Sequence, residues 1–187
     1  MPNLRNISCW GDSITYYGYP QVLQSLLPEI TVTNFGVAGE HSWEIADRMI
    51  AATDRYQDKH VFWVGVNEGW YQPTIMDSLA RMVAVLDHSC FLVLMPVTGS
   101  GANAPPAPPH MADLKSAIQS AYPDNFFDMR EYLYDYANPQ VAQDAIDVAN
   151  DTVPGSLRTD VIHPKPFTCS IIAERVFKWF ADKEKIY

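Results

Sequence analysis

Two short stretches, HVFWVG at residues 60–65 and CFLVLMPV at 90–97, limit the fold more than any other feature of this chain. Each is apolar at nearly every position. A strand with one face in water alternates apolar and polar residues, whereas a strand covered on both faces does not. These two runs therefore read as central strands of a parallel sheet. Between them lies Thr74–Leu86, with apolar Ile75, Leu79, Met82, Val83 and Leu86 at helical spacing. A strand, a helix and a second parallel strand make a crossover unit, and such crossovers are right-handed.

The alternation extends in both directions. Asn6–Trp10 and Ile30–Phe35 read as strands one and two, and Asn125–Met129 as a short fifth. Helices are predicted over Pro20–Leu27, over Ser42–Arg55 with Ser42 as its N-cap, and over Met111–Ala121 and Phe167–Ala181. Thr98–Pro109, rich in proline and glycine, reads as a loop. Arg130–Asp151 reads as irregular with helical patches. Helices between parallel strands must cover both faces of the sheet, so the expected architecture is an α/β three-layer sandwich. At 187 residues, with no repeat and no compositional boundary, residues 1–187 read as a single domain.

Composition narrows the partners. The net charge of −9 lacks the basic footprint that nucleic acid or an anionic membrane surface demands. No apolar run reaches membrane-spanning length, and MPNLRNISCWGD carries no signal-peptide core. A soluble, cytoplasmic protein is expected, or a domain excised from a longer one. Cys9, Cys90 and Cys169 read as structural thiols. No Cys/His cluster has metal-ligand spacing, so neither metal nor cofactor is expected.

In an open parallel sheet, ligands bind beyond the carboxyl ends of the strands. Three stretches fall there: Gly11-Asp12-Ser13, Gly36-Val37-Ala38-Gly39-Glu40 and Gly65-Val66-Asn67-Glu68-Gly69. Thr159-Asp160-Val161-Ile162-His163-Pro164 precedes the last helix. Each has an ordinary reading: a helix cap at Asp12 or Ser13, glycine turns, a carboxylate steadying a loop. Together they contain the parts of an acyl-transfer site. Ser13 is a nucleophile, His163 a base and Asp160 the carboxylate that orients it. The N–H groups of Ser13 and Gly39 and the Asn67 carboxamide are donors for a developing oxyanion. Of the other histidines, His60 and His88 read as surface residues, His110 as a helix start, and His41 as a surface or pocket residue.

These residues resemble the blocks of the SGNH hydrolases, also called GDSL-type esterases and lipases. WGDSIT is similar to the first block, NFGVAGE to the second, GVNEG to the third and DVIHP to the last. The four occur in order over residues 11–163. The resemblance implies a flavodoxin-like sandwich with a five-stranded parallel sheet in the order 2-1-3-4-5. It also implies Ser13, Asp160 and His163 as a catalytic triad, with Ser13, Gly39 and Asn67 forming the oxyanion hole. Gly36 is an alternative donor to Gly39. The third block usually ends Asn-Asp, where this chain has Asn67-Glu68, and Pro164-Lys165-Pro166 also departs from the common pattern.

Aromatic residues crowd these loops: Trp10, Tyr16, Tyr17, Trp43, Trp70 and Tyr71. Aromatic faces stack on sugars as readily as they fill cores. Trp10, Asp12, His41, Glu68 and Trp70 are the candidate substrate contacts, Asp12 also supporting the turn. The substrate expected is a short-acyl, acetyl-type ester of a carbohydrate or similar polar carrier. The alternatives are a lysophospholipase or thioesterase acting on longer chains, and a non-catalytic carbohydrate-binding module on the same fold. An FMN-binding flavodoxin is a weaker alternative, because GDSITYYG lacks a Ser/Thr-rich phosphate loop.

Overall fold

The structure, a computed structural model, describes residues 6–98 and 110–183. Five strands form one sheet: β1 Asn6–Gly11, β2 Thr31–Gly36, β3 Lys59–Trp63, β4 Phe91–Leu94 and β5 Phe126–Phe127. Their order is β2-β1-β3-β4-β5, and every neighbouring pair is parallel. The helices are α1 Ser13–Tyr16, α2 Tyr19–Leu26, α3 Ser42–Ala51, α4 Gln72–Ala84, α5 His110–Ala121, α6 Met129–Tyr134, α7 Ala142–Ala149 and α8 Pro166–Asp182.

The continuous apolar run of β3 is explained by its position. Successive side chains leave a strand on opposite faces. Val61 and Trp63 join one core with Ile7, Cys9, Leu23, Leu94 and the Ile172, Val176 and Phe180 face of α8. Phe62 and Val64 join the other with Trp10, Ile45, Met49, Leu79, Met82 and Leu114. Both faces are covered, giving the three layers, and each fully buried aliphatic or aromatic side chain contributes about 1.5–3 kcal/mol. The edge strand β2 is only half-buried and accordingly carries Thr31, Thr33 and Asn34.

Several elements differ from the sequence expectation. β4 stops at Leu94, just before Pro96, and β5 is two residues long. His41, not Ser42, is the N-cap of α3; the helix ends at Ala51 and a 3₁₀ turn follows at Thr53–Arg55. The helical patches expected within Arg130–Asp151 are α6, which begins one residue earlier, and α7. α7 has an apolar stripe of Ala142, Ala145, Ile146 and Ala149, but it faces outward, and the side chains the helix buries are Asp144 and Asp147. His60, expected at the surface, is fully buried in β3: it accepts a hydrogen bond at Nδ1 from Trp10 Nε1–H and stacks on Phe62. Burial pushes its pKa down to about 3, so the ring is neutral. All three cysteines are free. Burial raises the Cys9 thiol to about 12, suppressing the reactive thiolate. The loop after Thr98, expected to wall the site, lies outside the described residues. Among those residues no helix is long and apolar enough to cross a membrane.

Candidate functional site

Gly11 ends β1 where a side chain has no room. A Cβ there would lie 2.1 Å from Thr15 Oγ1 and 2.6 Å from the Trp63 carbonyl. The chain turns sharply, and Asp12 caps the next turn by accepting a hydrogen bond at Oδ1 from Ile14 N–H (2.9 Å). Ser13 is therefore the first residue of α1. That helix lies directly on the end of β2, since a Cβ on Gly36 would meet Tyr16 N at 2.2 Å. Asn34 completes the joint: its amide donates to the Thr15 and Tyr16 carbonyls, and its Oδ1 accepts from Gly36 N–H at 2.8 Å. Gly36 N–H is thus occupied.

Ser13 heads an unbroken hydrogen-bonded chain. His163 Nε2 lies 2.9 Å from Ser13 Oγ, and His163 Nδ1 lies 2.7 Å from Asp160 Oδ2. With the Asp160 carboxylate accepting the Nδ1 proton, Nε2 presents its lone pair to the serine hydroxyl. Asp160 Oδ1 accepts two backbone N–H groups, from Ile162 and His163, both at 2.8 Å. Partial burial raises the Asp160 pKa, but those N–H groups and the His163 ring outweigh it and hold the carboxyl down to about 2. The Tyr17 ring packs on the imidazole in a T-shaped contact, centroids 4.8 Å apart.

The loop after β2 lies against the loop after β3. Gly39 adopts φ +85°, where glycine is strongly favoured, and a Cβ there would meet nothing within 4 Å. Its N–H faces no partner among the described residues. Asn67 donates one amide hydrogen to the Glu40 carbonyl at 2.7 Å, and its second has no partner among the described residues. Glu68 accepts from Ser42 N–H at 3.0 Å, so Asn67 and Glu68 fasten successive points of one turn. Arg48 completes the fastening, forking onto Glu40 at 2.6–2.9 Å and donating to the Phe35 carbonyl at 2.9 Å. Neither Glu40 nor Arg48 carried a signal in the sequence, because their pairing depends on where α3 lands.

The structure places the five expected substrate contacts as follows. Trp10 is 1% exposed, stacks on Phe35 at 4.1 Å and belongs to the core. Asp12 is buried as a helix cap, and Glu68 holds the α3 start. Trp70 donates its indole N–H to the Val97 carbonyl and packs partly against the core. His41 caps α3 and stacks on Trp43. The exposed rings at this edge are instead Tyr16, Tyr17, Trp43 and Tyr71. Beside the imidazole lies an open groove of about 410 Å³ bounded by Tyr17, Thr159, Asp160, His163, Pro164 and Pro166.

Asp12 is also a titrating group. Burial pushes its pKa up to about 7; Ile14 N–H and His163 pull it down, and the Glu68 charge pushes it further up. Unfolded, it ionises near 4. The folded state therefore holds this proton more tightly, and the stability so gained is full below pH ~4 and lost as pH rises to about 7, a change of roughly 2–4 kcal/mol. Asp12→Asn keeps the cap oxygen and does not titrate. Its melting temperature relative to wild type should rise by about 5–10 °C between pH 4 and 7.5. A thermal melt series showing a constant difference would exclude the ionisation of Asp12 as its source.

No protein-family model matches the sequence, and no curated protein matches it significantly. Solved structures do match by shape. A lipase/acylhydrolase from Enterococcus faecalis aligns over 96% of this chain and 97% of its own, with TM-score 0.74 and 14% identity. A member of the lipolytic G-D-S-L family from Veillonella parvula aligns over 94% and 98%, with TM-score 0.71 and 13% identity. A GDSL-like lipase from Bacteroides thetaiotaomicron aligns over 96% and 89%, with TM-score 0.70 and 13% identity. By fold, this chain stands with the G-D-S-L lipolytic proteins and acylhydrolases of known structure.

Proposed function

We propose that this chain is an SGNH-type serine esterase that hydrolyses a carboxylic ester through an acyl-enzyme. The observation that carries the reading is the Ser13–His163–Asp160 hydrogen-bonded chain, which joins residues 150 positions apart in sequence. His163 takes the Ser13 proton as Oγ attacks the ester carbonyl, and the resulting imidazolium is stabilised by ionised Asp160. The oxyanion is received by Ser13 N–H, Gly39 N–H and the second Asn67 amide hydrogen, each worth ~10²–10³ in rate by the usual cost of losing such a donor. Gly39 is favoured over Gly36 because the Gly36 N–H is spent on Asn34. Collapse expels the alcohol, which takes the proton from His163. Water then cleaves the acyl-enzyme by the same steps.

The substrate we assign is a short-acyl ester of a carbohydrate or similar polar carrier. Four exposed aromatic rings at the site edge offer stacking faces.

A fluorophosphonate probe should label Ser13, and kcat/KM along a p-nitrophenyl ester series should be highest at acetate and fall towards palmitate. Activity that rises with chain length would favour the lysophospholipase or thioesterase reading. A chain that is neither labelled nor active would favour a binding module.

A further inference from the structure

We infer that Arg158, paired with Asp147, is a positioning residue that sets the shape of the Asp160–His163 loop; the inference rests on the esterase reading above. The Arg158 side chain is 3% exposed and that of Asp147 is fully buried. One guanidinium nitrogen donates to Asp147 Oδ2 at 3.0 Å. The other donates to the Val161 carbonyl at 2.6 Å and to the Asp160 carbonyl at 3.3 Å. One planar group thus ties α7 to two successive carbonyls of the turn that carries the acid and the base.

The loop needs such a tie. Its neck is closed by the antiparallel Arg158–Pro164 bridge and by Thr159 N–H donating to the His163 carbonyl at 2.8 Å. Its tip has little packing: Val161 is 61% exposed, and Asp160 is half-exposed. An ionised carboxylate only accepts, so Asp160 cannot satisfy the tip carbonyls, and those of Asp160 and Val161 take their hydrogen bonds from Arg158. A lysine has no fork and could not serve both carbonyls and the carboxylate at once.

The anchor is itself fixed. Asp147 accepts from Gly155 N–H at 2.7 Å and from the Gln143 amide at 2.8 Å. Neighbouring Asp144 accepts from Ser156 N–H, Ser156 Oγ–H and Asn138 N–H. The buried acids of α7 therefore hold residues 155–158 rigidly, and Arg158 carries that rigidity across to Asp160. In catalysis the guanidinium touches no reacting atom; it acts through Asp160 and His163.

The test compares Arg158→Lys with wild type, and the same substitution in an Asp160→Asn background, reading kcat and KM for p-nitrophenyl acetate and the rate of fluorophosphonate labelling. Arg158→Lys should lower kcat and the labelling rate by about 10–100-fold with KM within about twofold, as expected for a misplaced catalytic group. In the Asp160→Asn background it should change labelling by less than about twofold, since residues acting as a unit are non-additive. Asp147→Asn, which removes the charge but keeps an acceptor, should behave alike and serves if Arg158→Lys does not fold. Equal losses in both backgrounds, a change in KM alone, or no change would overturn the inference, as would failure of both variants to fold. An inert wild-type protein would overturn the esterase reading itself, whereas an active wild type with an unaffected Arg158→Lys would overturn only the role of Arg158.

Discussion

Replacing Ser13 by alanine should lower p-nitrophenyl acetate turnover by about 10⁴–10⁶-fold and abolish fluorophosphonate labelling, while the melting temperature stays within about 2 °C of wild type. The prediction separates chemistry from folding because the two functions of this turn are carried by different residues. Asp12 provides the cap of α1, and Gly11 and Gly36 provide the close approach. The Ser13 hydroxyl makes its side-chain hydrogen bond to His163. Alanine removes that contact and leaves the turn intact. Labelling of the alanine variant, or turnover reduced less than tenfold, would exclude Ser13 as the nucleophile.

Asp160→Asn should lower kcat by about 10⁴-fold with little change in KM. The carboxylate accepts the Nδ1 proton and so leaves Nε2 bare toward Ser13. An asparagine amide turned toward Nδ1 donates instead, placing the ring proton on Nε2, where it can no longer accept from the serine. Asp160 is held ionised down to about pH 2, so its own titration does not enter the rate above that pH. The stability Asp160 contributes is present above its unfolded pKa near 4 and lost as pH falls towards 2. An asparagine variant with more than a tenth of wild-type kcat would remove Asp160 from the reaction.

Much of this was legible in the chain because the signals were local. Covered strands announce themselves by continuous apolar runs, as β3 does. Ser13, Asp160 and His163 lie in turns that follow or precede regular elements, and a D-x-x-H spacing closes its own hydrogen-bonded ring. Other features left a misleading local trace. α7 buries Asp144 and Asp147 and turns its apolar stripe to solvent, so its hydrophobic period pointed to the wrong face. His60 looked like a polar strand start, yet it is enclosed by Trp10 and Phe62 from the same face of the sheet. Trp10 looked like a pocket wall beside Ser13, but residues adjacent in a strand point to opposite faces, and its ring was sent into the α3 side of the core.

By itself the sequence determined the α/β alternation, the sheet edge that carries the loops, and the identity of the residues able to form a nucleophile, base and acid, because periodicity and residue chemistry are properties of short segments. The tertiary structure alone decided which N–H groups are occupied, that Glu40 and Arg48 brace the Gly39 turn, and that Arg158 and Asp147 brace the acid loop. Those contacts join segments whose separation is set by how helices land on the sheet, and no local pattern encodes where a side chain from one will meet a carbonyl of another.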